Sequence, residues 1–382
     1  MTLKRNSKLF LVLFLGTLSA FGPFVTDLYL PALPTMSSYF NSSTSTIQLT
    51  LTGSMVGLAL GQLLIGPISD KYGRKNPLII SLIVYLISTI AIIIFPNVYA
   101  MIALRFIQGI SSAGAVVISR AISTDLYHGR ELAAFFALLM AVNGLAPILS
   151  PILGSLLLEL TDWRGIFVTL ALIGVILLAV SFKFNESLAI EKRLDLPITK
   201  TYYSIVHVAK NRLFFALVII QGFALATVFA YIAASPFILQ THYSLSPLMY
   251  INGFAIVLGS KNAGNFKEKI SIKLGLSLML LVSIYLAMAL TLTLPFLFIE
   301  VGFFLLLLGL GFILPASSAI AMSLERERAG SASAFFGFVP FFLGGVVSPL
   351  VGIGNIFHSS AIAIIICSAI SFITFKLVEK KI

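Results

Sequence analysis

Two stretches of the chain show its pattern most plainly. Asn76 to Leu104 holds no acid or base, and Thr291 to Leu324 holds a single one, Glu300. Neither stretch alternates with a period of two, and neither keeps one polar face at a helical period. A helix crosses the ~30 Å of hydrocarbon in a bilayer with ~20 residues, so each is long enough to span it. The alternation of an outer-membrane barrel strand is missing, which leaves helix as the form that satisfies the backbone in lipid. Breaking the chain at charges and at Pro, Gly and Asn turns predicts twelve spans: 9–31, 46–66, 77–96, 99–121, 131–158, 163–183, 213–238, 245–264, 272–291, 294–322, 330–354 and 358–378. The eighth is short and rich in Gly, Ser and Asn before Lys261.

Composition agrees with the pattern. Hydrophobic residues make up 59% of the 382 positions and charged residues 10%, with a mean hydropathy of +1.05. A soluble domain carries about 25% charged residues, so this chain cannot cover a water-facing surface. Its basic residues sit between spans on one side. They are Lys4, Arg5, Lys8; Lys71, Arg74, Lys75; Arg120, Arg130; Lys183 through Arg212; Lys261 through Lys273; Arg326, Arg328; and Lys376 through Lys381. The opposite loops hold only Arg164. Positive loops stay in the cytoplasm, which predicts a multi-pass protein of the bacterial inner membrane with both termini cytoplasmic. The first span runs past Asp27 to Pro31 without a small-residue cleavage site, so it reads as a retained helix rather than a signal peptide. The net charge of +11 forms no contiguous basic face with interleaved aromatics, which argues against nucleic acid. One cysteine, Cys367, excludes an internal disulfide. No His has a second ligand at metal spacing, so no metal site is expected.

The longest hydrophilic segment, 185–212, divides the chain into an expected six-helix bundle over 1–184 and another over 213–382. A repeat crosses that divide. Ala134–Phe136 recurs at Ala334–Phe336, and "SPILG" from Ser150 recurs as "SPLVG" from Ser348, both about 200 residues on. The fold expected is therefore all-α, with two pseudo-symmetric bundles of six and a site at mid-membrane.

After the second span comes "GPISDKYGRKNPL", in which Gly73 permits a tight turn and Lys71, Arg74 and Lys75 hold it at the anionic leaflet. Taken with Gly66 and Asp70, the segment resembles the signature loop of the major facilitator superfamily. "LRFIQG" at Leu104–Gly109 is similar to the family's R-x-x-Q-G motif. "NGLAPILSPILG" from Asn143, with Gly144, Pro147, Pro151 and Gly154, is similar to the Gly/Pro-rich helix of its antiporters, with Ala146 where Gly often stands. "TDLYLPALP" at Thr26–Pro34, "FAYIAASPFILQ" at Phe229–Gln240 and the segment from Leu314 to Gly337 resemble the Bcr/CflA group of drug:proton antiporters. The resemblance implies a proton-driven exporter of small, largely apolar compounds, without cofactor, acting as a monomer. In the family the signature loop latches the two halves; its second-half counterpart, "SKNAGNFKEK" from Ser260, has decayed.

Ionisable residues inside the spans are few: Asp27, Arg105 and Glu300. A charge at such depth costs several kcal/mol unless paired or wetted, so each is a functional candidate. Arg105 lies about six residues, ~9 Å, inside the outer face, and Asp27 about nineteen residues, ~28 Å, from Lys8. Both fall in the outer third, where the first and fourth helices can bring them together. By resemblance they match the family's proton-coupling acid and arginine. Glu300 sits at comparable depth, available to a cationic substrate or a second proton. Gln108, Asn143, Gln221, Tyr231 and Asn252 are polar groups able to line a cavity or to bond between helices. The alternative is a metabolite or siderophore permease of the same fold. A membrane enzyme is disfavoured by the lack of any P-loop, H-E-x-x-H or G-x-S-x-G motif, and a sensor by the lack of a soluble domain.

Overall fold

The computed structural model describes residues 7–127, 129–193, 198–245, 254–325 and 328–382. Among the described residues the chain is helical throughout, without strands. Helices α1 (Lys8–Asp27), α2 (Leu33–Tyr39), α3 (Thr44–Tyr72), α4 (Lys75–Ile94), α5 (Val98–Leu126), α6 (Gly129–Leu160) and α7 (Trp163–Lys183) are followed by a short linker helix, α8 (Ile198–Ala209). Then come α9 (Arg212–Pro236), α10 (Phe254–Ala263), α11 (Glu268–Thr291), α12 (Phe296–Leu324), α13 (Ala329–Val351) and α14 (Ile356–Val378). Ten of the described helices are long and apolar enough to cross a membrane. A further one, α6, runs 32 residues. The first half of the expected eighth span, with Asn252, lies outside the described residues. So do the side chains of Asn143, Gly144 and Pro147 on α6.

Local chemistry sets the helix ends. Asn97, Asp162, Asn211 and Asn355 each accept backbone N–H bonds at the start of α5, α7, α9 and α14, the usual remedy for unpaired N–H groups there. Pro236 ends the regular part of α9, and a wider π turn follows at Phe237–His242. Within a unit, glycines let helices touch. A Cβ at Gly53 would sit 2.7 Å from the Ile102 carbonyl oxygen of α5, and one at Gly275 2.6 Å from the Gly309 carbonyl oxygen of α12.

The chain forms two compact units. One comprises Met1–Tyr29 and Gly53–Tyr202; the other comprises Leu30–Thr52 and Tyr203–Ile382. The grouping of Leu30–Thr52 with the later residues is not visible in the order of the sequence. Three polar residues on one stripe of α3, at i, i+3 and i+7, account for it. Ser45 Oγ donates to the Pro349 carbonyl (3.0 Å), Gln48 Nε2 to the Ala233 carbonyl (2.9 Å) and Thr52 Oγ1 to the Gly345 carbonyl (2.7 Å). Each acceptor lacks the N–H that a continuous helix would supply from four residues on. Gly345 stands four residues before Pro349, which has no N–H. The Phe237 N–H that would serve Ala233 turns to Ala234 instead. Pro349 lies in the last turn of α13.

Candidate functional site

The first unit carries two polar clusters, one at each end of α5. The deeper one is built around Arg105, which is wholly buried on α5. Its Nη1 donates to the Val25 carbonyl (3.0 Å) and to Gln108 Oε1 (2.6 Å). Gln108 Nε2 donates onward to Thr89 Oγ1 (2.7 Å), and that hydroxyl donates to the Tyr85 carbonyl (2.7 Å). The guanidinium carbon stands 4.1 Å from the centre of the Tyr29 ring and 5.7 Å from that of Phe167. Insertion of an arginine at mid-helix costs about 2.5–3.5 kcal/mol. Hydrogen bonds to a charged group contribute about 1.5–3 kcal/mol each, and a desolvated cation–π contact about 2 kcal/mol, so the cluster holds the charge.

Asp27 is the last residue of α1 and is 7% exposed. Thr26 Oγ1 donates to its Oδ1 (2.7 Å). Because Arg105 of α5 grips the carbonyl two residues earlier, its guanidinium lies against the turn of α1 that carries the acid. The sequence places both in one layer, and the structure brings them to one site. It also adds residues that the sequence reading missed. Tyr29 stood in plain view two positions after Asp27, but nothing in the sequence said that its ring would cover a guanidinium. Thr89, Tyr85 and Phe167 come from other helices and have no local signal.

The second cluster holds the loop 66–75. Gly73 has φ of +87°, in the region that favours glycine. A Cβ there would lie 2.6 Å from Glu186 Oε2. Arg74 Nε donates to Asp125 Oδ2 (2.9 Å), and its Nη1 bonds Ser69 (2.9 Å) and forms an ion pair with Asp70. Burial works against the Arg74 charge, but Asp125 and Asp70 outweigh it and raise its pKa above the ordinary arginine value. Glu186, just past α7, accepts the backbone N–H of Arg74 (3.0 Å) and of Lys75 (3.1 Å). A carboxylate there complements the positive end of α4. Lys75 Nζ donates to the Phe182 carbonyl (2.8 Å). Asp125 and Glu186 were absent from the expected set, though both are acids near a basic loop.

In the second unit, Glu300 lies one turn into α12, partly buried. Tyr231 is 5% exposed with its ring 4.3 Å from that of Phe303, so it belongs to the packed core. Gln221 bonds Ser317 (2.7 Å) between α9 and α12. Pro151 and Gly154 are buried on α6. Among the described residues no cluster of His, Cys, Asp and Glu has metal-binding geometry.

The profile of the Major Facilitator Superfamily matches residues 9–376. The chain is 36% identical over 362 residues to an uncharacterized MFS-type transporter, YdgK, of Bacillus subtilis, covering 92% of this chain and 90% of that one. It is 30% identical over 232 residues to a bicyclomycin resistance protein homolog of Haemophilus influenzae, covering 60% of this chain and 58% of that one. A solved structure of the xylose transporter XylE from E. coli, described as partially occluded and inward open, superposes with a TM-score of 0.75 at 13% identity. That match covers 97% of each chain, and at this identity it speaks for the fold alone.

Proposed function

The chain belongs to the Major Facilitator Superfamily, and from that premise we propose that it is a proton-coupled antiporter. It exports small, largely apolar compounds across the bacterial inner membrane, with both termini in the cytoplasm. The observation that carries the reading is the buried site shared by Asp27 at the end of α1 and Arg105 of α5, whose Nη1 holds the Val25 carbonyl two residues before the acid. Proton uptake by Asp27 changes the charge of this pocket by a whole unit in a medium where charge is expensive. The altered balance acts on the end of α1, where the regular helix stops at Asp27, so protonation and helix geometry are linked. Two likenesses favour drug export: bicyclomycin resistance in the name of the Haemophilus influenzae relative, and a multidrug transporter, MdfA, of Yersinia pestis at 27% identity. The loop 66–75 serves as the cytoplasmic latch, with Gly73 as its hinge and the Arg74–Asp125 pair as its anchor. The transporter acts as a monomer, with protons and membrane lipid as its other partners.

The test is flux in proteoliposomes under an imposed pH gradient, scanned over a compound panel. Wild-type protein moves at least one compound against its gradient. Asp27→Asn inserts and folds but loses gradient-driven movement. Undiminished flux in that variant removes Asp27 from the mechanism.

A further inference from the structure

The second arginine of α5, Arg120, takes no part in either cluster. It stands at the cytoplasmic end of the expected fourth span, 99–121, and lies within α5, which continues to Leu126. Asp125, five residues on, joins the Arg74 cluster, so Arg120 stands about 7.5 Å deeper in the helix than that ionic layer. No hydrogen bond or ion pair reaches Arg120 among the described residues, and part of its surface stays open. The nearby acids are already engaged. Asp125 accepts from Arg74 and from Ser187 Oγ (2.8 Å), and Asp70 pairs with Arg74. Direction follows from the residues one turn back. Val116 faces α1, its Cγ2 3.1 Å from where a Cβ of Gly22 would be, and Val117 faces α3 at Gly66. Arg120 follows them at i+4 and i+3, so its stem lies over the flank where α5 meets α1 and α3.

We propose that Arg120 is a binding site for the oxyanion group of an amphiphilic organic anion, a carboxylate or sulfonate on an apolar body. A guanidinium offers a fork of donors to such a group, and the partly exposed Val117, one turn back on the same flank, supplies apolar contact for the body. The site receives this class from the cytoplasmic side, which rests on the export reading above. It extends the cargo of small, largely apolar compounds to anions.

The experiment uses the full chain in phosphatidylcholine nanodiscs without a pH gradient, so its failure is separate from failure of the antiport reading. The probe is 2-naphthalenesulfonate at about 5 mM, with 2-naphthalenesulfonamide as its neutral counterpart. The sulfonate raises the melting temperature of the wild type by about 3 °C, the sulfonamide does not, and Arg120→Gln loses the rise. On unmodified protein, the sulfonate slows phenylglyoxal modification of Arg120, read by mass spectrometry, which keeps the test open if the variant fails to fold. No protection, an equal shift in Arg120→Gln, or an equal effect of the sulfonamide overturns the proposal. So does protection that appears only on adding phosphatidylglycerol, which would assign the site to a lipid headgroup.

Discussion

The cores of the two units are built by the same packing and carry different chemistry. In the first, Gly53 and Gly109 bring α3 against α5; in the second, Gly259 and Gly311 bring α10 against α12. At the repeat offset of 200, Gly109 falls on Gly309, but Arg105 falls on Leu305 and Gln108 on Leu308. The second core accordingly holds Phe303, Leu306, Leu307 and Leu310 where the first holds a charged network. Close helix approach is a demand of the scaffold, so it recurs in both. A buried charge is costly in each copy, and one copy suffices for chemistry.

The strongest way to break the comparison is to make the first core resemble the second. Arg105→Leu is expected to reduce gradient-driven flux in proteoliposomes at least about 100-fold, the loss of roughly 2.8 kcal/mol of coupling. Arg105→Lys restores little, because a point charge cannot meet Val25, Gln108 and the Tyr29 ring together. Flux of either variant near the wild-type rate would sink the assignment.

Packing predicts the opposite, equal damage in both units. Gly57→Leu and Gly259→Leu each drive a side chain into a neighbouring backbone, at Phe106 and at Leu308. Each is expected to cost about 1–3 kcal/mol or more, read as lowered melting temperature in detergent. A loss confined to one unit would show that the two interfaces are not equivalent.

A smaller effect is expected at the loop. Gly73→Ala strains a positive φ and crowds Glu186, for about 1–2 kcal/mol. Glu186→Gln, which keeps the shape and removes the charge opposite the start of α4, costs about 0.3–1 kcal/mol. Both are measured by thermal unfolding, and equal values for the two would indicate that strain at Gly73 is minor.

The smallest effect belongs to Glu300. Partly buried one turn into α12, it contributes, at the water-screened limit, about 0.7 kcal/mol of attraction to a cation, a factor of about three. Glu300→Gln therefore slows cationic compounds about threefold and leaves neutral ones alone. Equal rates for both classes before and after substitution would make it an interfacial residue.

The membrane class, the helical form and the positions of most spans were legible because they rest on summed hydropathy over ~20 residues, a signal no tertiary contact can reverse. The loop 66–75, Asp27 and Arg105 were legible for a related reason: a charge or a turn residue in such a chain stands against an apolar background. Tyr231 and Gln108 were harder, since a polar residue in a span reads the same whether it lines water or bonds to a neighbour. Both turned out to be buried, Gln108 between Arg105 and Thr89.

What only the tertiary structure decided concerns partners far apart in the chain. Thr89, Tyr85 and Phe167 become a pocket for Arg105 because three helices converge, and hydropathy carries no information on which faces meet. The carbonyls of Ala233, Gly345 and Pro349 become acceptors for Ser45, Gln48 and Thr52 through breaks in distant helices. Proline announces such a break in the sequence, but the side chain that fills it is chosen by packing. Arg120 shows the same division: its charge is written in the chain, while only the packing leaves it without a hydrogen bond or ion pair among the described residues, with Asp125 bonded to Arg74.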